Sequence, residues 1–507
     1  MIPKRPHVLF VMADQHLASC LGVEGHPQVK TPHLDRLARE GVRFTSAYTQ
    51  NPICTPSRVS LLSGQYPHNH GYYGLAGPAP ARLPHFLGHF RDNGYRTAAI
   101  GKLHLPDTPR NWIADEVDFF GECYRSVDGV PGEGLYYQEL APLGLRAIED
   151  SRILPELGHG THDARPSQMP YEHCVEQWCA AHAERFMAAA VAEGRSFCLE
   201  VSLPRPHHQL TPDRRFWDLY PEDLEAPPTR DHDPSHRPPH FREMYEDFRS
   251  TEWLYEPRTF DAGTRRAWRG YLACISQVDD AVGRLLRFLD QTGLAENTIV
   301  VYGADHGGYH GHLGIVEKAP GICSEAVCRV PFIWRAPGTT RAGTVCDQLV
   351  ENVDLAPTLA ALAGLPPMET ADGADLTPLL TGTDRPLRTL AVTENPWSKA
   401  IRWNGWRYVH YQPELFGGED YGELYDLDQD PDERHNLYRS PDHREVVAAG
   451  QRLLLDWLIK TSRPVTVHPT IGDRTLGDHH YRTAGDGRES NLAGVPQRIR
   501  RGLVNYL

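Results

Sequence analysis

Four short strand-like stretches, each ending in a polar cluster, constrain this chain more than any other feature. Residues 8–13 end at Asp14-Gln15, and residues 96–100 end at Gly101-Lys102-Leu103-His104. Residues 197–203 lead into Pro204-Arg205-Pro206-His207-His208, and residues 298–304 end at Asp305-His306-Gly307-Gly308. The first, a continuous apolar run, is typical of a parallel strand buried on both faces, and residues 298–304 are a second apolar strand. Helical patterns separate them. Leu34, Leu37 and Ala38 share a face before Gly41. Leu83, Phe86, Leu87 and Phe90 mark a second helix closed near Asn93-Gly94, and residues 171–192 read as a third. A long helix carries Trp268, Tyr271, Leu272, Ile275, Val278, Val282, Leu285, Leu286 and Leu289. The alternation predicts an α/β fold, a large mixed, mostly parallel sheet flanked by helices. In such sheets ligands bind outside the carboxyl ends of the strands. The four polar clusters are therefore candidates for one site.

Further strands are expected at 42–48 and, after a change of texture near residue 380, at 389–393, 399–403, 406–411 and 423–426. A helix around 445–459 backs the last group. This predicts three segments: residues 1–380 as a catalytic α/β domain, 381–460 as a smaller C-terminal α+β subdomain on an antiparallel sheet, and 461–507 as a polar tail. The tail is read as either a disordered segment or an arm on a neighbouring subunit of a homo-oligomer. The stretches 105–170 and 209–260, rich in Pro, Gly, His and charge, are read as insertions or substrate loops.

Lys plus Arg number 52 and Asp plus Glu 66, a net charge of −14. That balance argues against nucleic acid or an anionic membrane as the main partner. No run approaches the ~20 apolar residues of a membrane span. The apolar run near the N-terminus is too short for a signal sequence, so a cytoplasmic location is expected. The ten cysteines form no Cys-x-x-Cys pair, which excludes a zinc ribbon and, in so long a chain, a disulfide scaffold.

One cysteine stands apart. Around Cys54, Thr55 can cap a helix, Pro56 suits its first position and Gly64 can end it after Leu61 and Leu62. Cys54 then lies beside a helix N-terminus, where backbone N–H groups favour anions and lower a thiol's pKa. The alternative is a buried structural cysteine. Arg58 follows one helical turn later, which brings it back towards Cys54.

At this point the chain resembles the formylglycine-dependent sulfatase family of the alkaline phosphatase superfamily. Cys54-Thr55-Pro56-Ser57-Arg58 fits the Cys-x-Pro-x-Arg signature, and Gly101-Lys102-Leu103-His104 fits Gly-Lys-x-His. Pro206-His207, Asp305-His306-Gly307 with Lys318, Arg329-Val330-Pro331-Phe332, Asp354-Leu355-Ala356-Pro357-Thr358 and Glu423-Leu424-Tyr425-Asp426-Leu427 follow in the family's order. The resemblance implies that a maturation enzyme converts Cys54 to formylglycine. One hydroxyl of the hydrated aldehyde would attack sulfur, and the other would lose a proton to expel sulfate as the aldehyde reforms. It further implies that Asp14, Gln15, Asp305 and His306, with residue 54, hold one divalent metal. Arg58 would hold the formylglycine, Lys102 and Lys318 would bind sulfate oxygens, His104 would assist breakdown of the intermediate, and His207 would contact the leaving oxygen.

The metal strands depart from the commonest sulfatase pattern, which has a second aspartate at Gln15 and Asn or Gln at His306. Asp-Gln with Asp-His resembles the branch that includes choline sulfatases and phosphonate monoester hydrolases. Calcium is the first expectation, with manganese or magnesium behind it, since imidazole is a poor calcium ligand. His310 and His312 are set aside as zinc ligands, because three glycines and no further ligand lie between them and Asp305. His68, Asn69 and His70 either line the pocket or form a polar loop. Tyr124, Tyr136, Tyr137, Trp253 and Tyr255 are candidate substrate contacts.

The leading expectation is hydrolysis of a small sulfate monoester. Phosphonate monoester or phosphodiester hydrolysis on the same site is the alternative; Lys102 with His104 weighs towards sulfate. A third reading is a non-catalytic anion-binding relative in which Cys54 is never modified.

Overall fold

The computed structural model describes residues 5–463, except 76, 81–82, 151–163, 250–259, 316–317 and 319–321. Trp253 and Tyr255 and all but the first residues of the expected tail lie outside the described residues.

An eight-stranded mixed sheet forms the centre. Its strands are β1 (His7–Asp14), β2 (Val42–Phe44), β4 (Arg96–Gly101), β5 (Phe119–Glu122), β6 (Phe197–Pro206), β7 (Thr298–Ala304), β8 (Phe332–Arg335) and β9 (Thr344–Cys346). Their spatial order is β5-β4-β6-β1-β7-β8-β2-β9. Only β8 runs antiparallel to its neighbours β7 and β2; the other pairs are parallel. The expected strand at 42–48 is instead two. Residues 42–44 join the main sheet, while β3 (Ala47–Tyr48) pairs with β10 (Val350–Glu351) in a separate two-stranded sheet. The Ser46 carbonyl, which accepts the Val350 N–H at 3.0 Å, marks the crossing. The stretch read as a loop from residue 105 also contributes β5, the edge strand.

β1 is buried along its whole length, as its unbroken apolar run predicts. Val8, Phe10 and Met12 enter one core and Leu9, Val11 and Ala13 the other. Each such side chain stabilises the fold by roughly 1.5–3 kcal/mol through burial. One face is covered by helices α1 (Pro32–Glu40), α4 (Val175–Ala192) and α5 (Phe260–Gln291). The other is covered by α2 (Cys54–Ser63), α3 (Phe86–Asp92) and α6 (Leu355–Leu362). Towards the C-terminus β11 (Ala391–Glu394), β12 (Ser398–Trp403), β13 (Trp406–Tyr411) and β14 (Gly422–Asp426) make an antiparallel sheet in sequential order. Helix α7 (Arg444–Thr461) packs Leu454 and Trp457 against it. No helix among the described residues is long and apolar enough to cross a membrane.

Helix α2 begins two residues earlier than its sequence suggests. Cys54 is its first residue, and Ile53, extended at φ −125°, occupies the cap position without a side-chain bond. Asn51 Oδ1 instead accepts the Ile53 N–H at 2.9 Å, which turns the chain into the helix. The Thr55 hydroxyl, freed from capping, donates to the His104 carbonyl at 2.9 Å. Gly64 ends the helix at φ +70°, as expected of a left-handed terminal glycine.

Candidate active site

The neighbours β4, β6, β1 and β7 deliver their polar ends side by side, and α2 lies across that edge. Its first turn is tied to three of them. Thr55 reaches His104, the Ser57 hydroxyl donates to the Asp305 carbonyl at 2.6 Å, and Arg58 bridges Asp14 and Asp305. Arg58 is fully buried. Its Nη2 lies 2.9 Å from Asp14 Oδ2 and its Nε 2.8 Å from Asp305 Oδ2; Nη1 donates to Ser202 Oγ at 2.9 Å and to the Lys102 carbonyl.

Cys54 Sγ lies 3.1 Å from His306 Nε2 and 3.8 Å from Asp14 Oδ1. Ligand atoms of Asp14, Cys54, Asp305 and His306, all buried, fall within 4.8 Å of one another. The His306 tautomer follows from its surroundings. Nδ1 faces the Gly307 carbonyl at 2.7 Å, which can only accept, so Nδ1 carries a proton, and when the ring is neutral it is the Nε2 lone pair that points at the cluster. Burial would push the His306 imidazole down, but the Asp305 carboxylate and the Cys54 sulfur raise it to about 9. A donor set that favours positive charge on an imidazole in this way fits a divalent cation. His310 and His312 are not part of this cluster.

Gln15, next to Asp14, has φ +67°. Its N–H donates to Asp305 Oδ1 at 3.0 Å and its Oε1 accepts from Lys318 Nζ at 3.1 Å. Lys102 Nζ lies 2.6 Å from Asp14 Oδ2, and Lys318 Nζ 2.9 Å from His207 Nε2. Burial opposes the charge on Asp14, but Lys102 and Arg58 overcome it and hold the carboxyl well below the usual range. Burial, with Lys102 and Arg58, depresses His104; burial, with His208, Lys102 and Lys318, depresses His207. Both imidazoles are thus neutral at neutral pH. The ten residues expected from the sequence, Asp14, Gln15, Cys54, Arg58, Lys102, His104, His207, Asp305, His306 and Lys318, come together here.

A cavity of about 640 Å³ opens from Lys102, His104 and His207 towards Tyr124, Arg125, Tyr137 and His208. Tyr136 is buried and donates to the His173 carbonyl at 2.6 Å, away from the cavity wall. His208 does not point away from His207, as an extended chain would require; the two rings lie 3.9 Å apart. His68, Asn69 and His70 bond to Glu394, Asp372 and Ser60 respectively, so they brace the fold beside the site. Sequence reasoning passed over Glu122. Buried at the end of β5, it accepts the Leu103 and His104 N–H groups at 2.7 and 3.3 Å and so fixes the turn that aims Lys102 and His104. An acidic residue inside a Pro- and Gly-rich stretch carries no signal of that role.

Comparison with known proteins places this architecture. The sulfatase family profile matches residues 6–365, and a profile for the C-terminal part of N-sulphoglucosamine sulphohydrolase matches residues 322–458. The chain belongs to the sulfatase family, whose members are sulfuric ester hydrolases. Choline-sulfatase of Rhizobium meliloti is 30% identical over 469 residues, spanning 87% of this chain and 84% of the relative. N-acetylglucosamine-6-O-sulfatase of Bacteroides thetaiotaomicron is 26% identical, spanning 91% and 87%. The crystal structure of phosphonate monoester hydrolase from Agrobacterium radiobacter shares the fold with a TM-score of 0.75 at 22% identity, covering 90% of this chain and 96% of that one.

Proposed function

We propose that the protein hydrolyses the sulfate monoester of a small organic alcohol, with a formylglycine made from Cys54 as the nucleophile. The observation that carries this reading is the meeting of Cys54 with Asp14, Asp305 and His306 beside three cations and two neutral histidines. That combination suits a sulfate group and a proton-dependent leaving group, and it has no use in a merely structural core. The converted residue would supply a hydrated aldehyde, and a divalent ion held by Asp14, Gln15, Asp305 and His306 would favour its ionisation. Calcium is the first choice for that ion; the His306 imidazole brings manganese close behind, and magnesium follows.

The chain's own residues have distinct tasks. Arg58, locked between two carboxylates, holds residue 54 and balances Asp14 and Asp305. Lys102 and Lys318 meet the sulfate oxygens. His207 Nδ1 faces the His208 carbonyl at 2.8 Å, so its Nε2 is the acceptor facing Lys318. The pair can pass a proton towards the leaving oxygen. His104, neutral and buried, can take the proton released when sulfate departs. A formylglycine-generating enzyme is the partner this chemistry requires.

The Asp14-Gln15 and Asp305-His306 donor set favours one second reading, a phosphonate monoester or phosphodiester hydrolase on the same residues. Parallel steady-state assays with an aryl sulfate and an aryl phosphonate monoester separate the two. The proposal expects kcat/KM for the sulfate to exceed that for the phosphonate at least about tenfold, a difference of about 1.4 kcal/mol in transition-state stabilisation. A preference for the phosphonate would overturn it.

A further inference from the structure

Gln15 is held at both ends of its side chain and along its backbone. Its carbonyl accepts the Tyr271 hydroxyl at 2.8 Å, and its N–H is fixed by Asp305. The side-chain amide lies between two partners: Lys318 Nζ, 3.1 Å from Oε1, and His310 Nε2, 3.3 Å from Nε2. A lysine ammonium can only donate, so the amide oxygen must face Lys318. The amide nitrogen then faces His310, whose Nε2 must accept. The His310 ring is stacked on Tyr271 with centroids 3.6 Å apart and 22° between planes. Gly308 supplies the space: a Cβ there would lie 2.7 Å from both Gln15 Nε2 and His310 Nε2. Tyr271 therefore braces Gln15 twice, through its hydroxyl and through the ring beneath His310.

We propose that His310 is a positioning residue that sets which end of the Gln15 amide faces the cation side of the site. With His310 as acceptor, Oε1 is presented towards Lys318 and a divalent ion. A reversed amide would turn two N–H groups towards positive charge. Tyr271 and Gly308 hold His310 in register for this contact. The proposal rests on the reading of Gln15 as a metal ligand.

The test is calorimetric titration of the full-length, metal-stripped protein with Mn²⁺ alone. His310→Leu, which keeps bulk but loses the acceptor, should raise the Kd about 10- to 100-fold, as loss of a ligand's supporting partner does. His310→Gln, whose side-chain oxygen takes the place of Nε2, should recover most of that loss. In a Gln15→Ala background His310→Leu should add nothing, because it acts through Gln15. Should His310→Leu fail to fold, Gly308→Ala disturbs the same contact from the opposite side, and a rise in its Kd is expected. Wild-type Mn²⁺ affinity in a folded His310→Leu or Gly308→Ala variant, or a full additive loss in the Gln15→Ala background, would overturn the proposal. Equal affinity in wild type and Gln15→Ala would instead remove the ligand reading of Gln15, and the proposal with it.

Discussion

Glu122 shows how much of the site's geometry is set by a residue that reaches no reacting atom. Its Oε2 accepts the two amides that begin the Lys102–His104 turn, and its Oε1 accepts the Tyr124 N–H at 3.1 Å. Burial raises its carboxyl despite these bonds. Removing it leaves buried amides without acceptors and lets Lys102 and His104 shift. Glu122→Ala is expected to lower kcat/KM about 100-fold, the cost of roughly 1 Å of misplacement, while Glu122→Gln keeps an acceptor and most of the rate. Steady-state kinetics of the two variants check this; equal rates for Glu122→Ala and wild type would count against it.

Helix α2 is the element that gathers the site, and its end is as specified as its beginning. Gly64 lies at φ +70°, and a Cβ there would come within 2.9 Å of Ala371 Cβ. Gly64→Ala should destabilise the protein by about 1–2 kcal/mol, read as a lower urea midpoint; an unchanged midpoint would refute this. The end of α2 was legible because glycine after a helical pattern has a local cause. The start was displaced because Asn51 turns the chain and Thr55 finds a tertiary partner in His104, neither of which is local. The strand ends were legible for a related reason: short strand-like stretches stop where polar clusters begin. β5 has only four residues and no periodicity to announce it. The His310 contact joins residues 295 apart in the chain, and nothing in the sequence pairs them.

In the whole molecule, the C-terminal sheet is bound to the catalytic edge by buried polar links. The Glu394 N–H donates to the Gln50 carbonyl at 2.7 Å, Asn51 donates to the Glu394 carbonyl at 2.7 Å, and Arg237 pairs with Glu423 at 2.7 Å. Arg407 pairs with Glu433 at 3.0 Å and also with Glu325. The Glu394 carboxylate itself meets His68 and Lys399. Burial would raise its pKa, but Lys399 and His68 outweigh that and lower it from 4.5 to about 2. A depressed carboxyl contributes stability in full above its unfolded value, and that contribution fades as the pH falls from about 4.5 towards 2. The contribution is about 3 kcal/mol. Glu394→Gln should therefore narrow the difference in unfolding free energy between pH 7 and pH 3. An undiminished difference would show that Glu394 does not couple the sheet to pH.

The central claim is that residue 54, once converted, performs sulfate ester hydrolysis. Its most direct test is turnover of an aryl sulfate by Cys54→Ala, produced with the maturation enzyme alongside wild type. Wild type should show a mass deficit of roughly 18 Da at the Cys54 peptide, as expected for thiol converted to aldehyde. The variant should keep its fold and lose at least about a thousandfold in kcat, as removal of a covalent nucleophile does. Turnover by Cys54→Ala comparable to wild type would contradict the account.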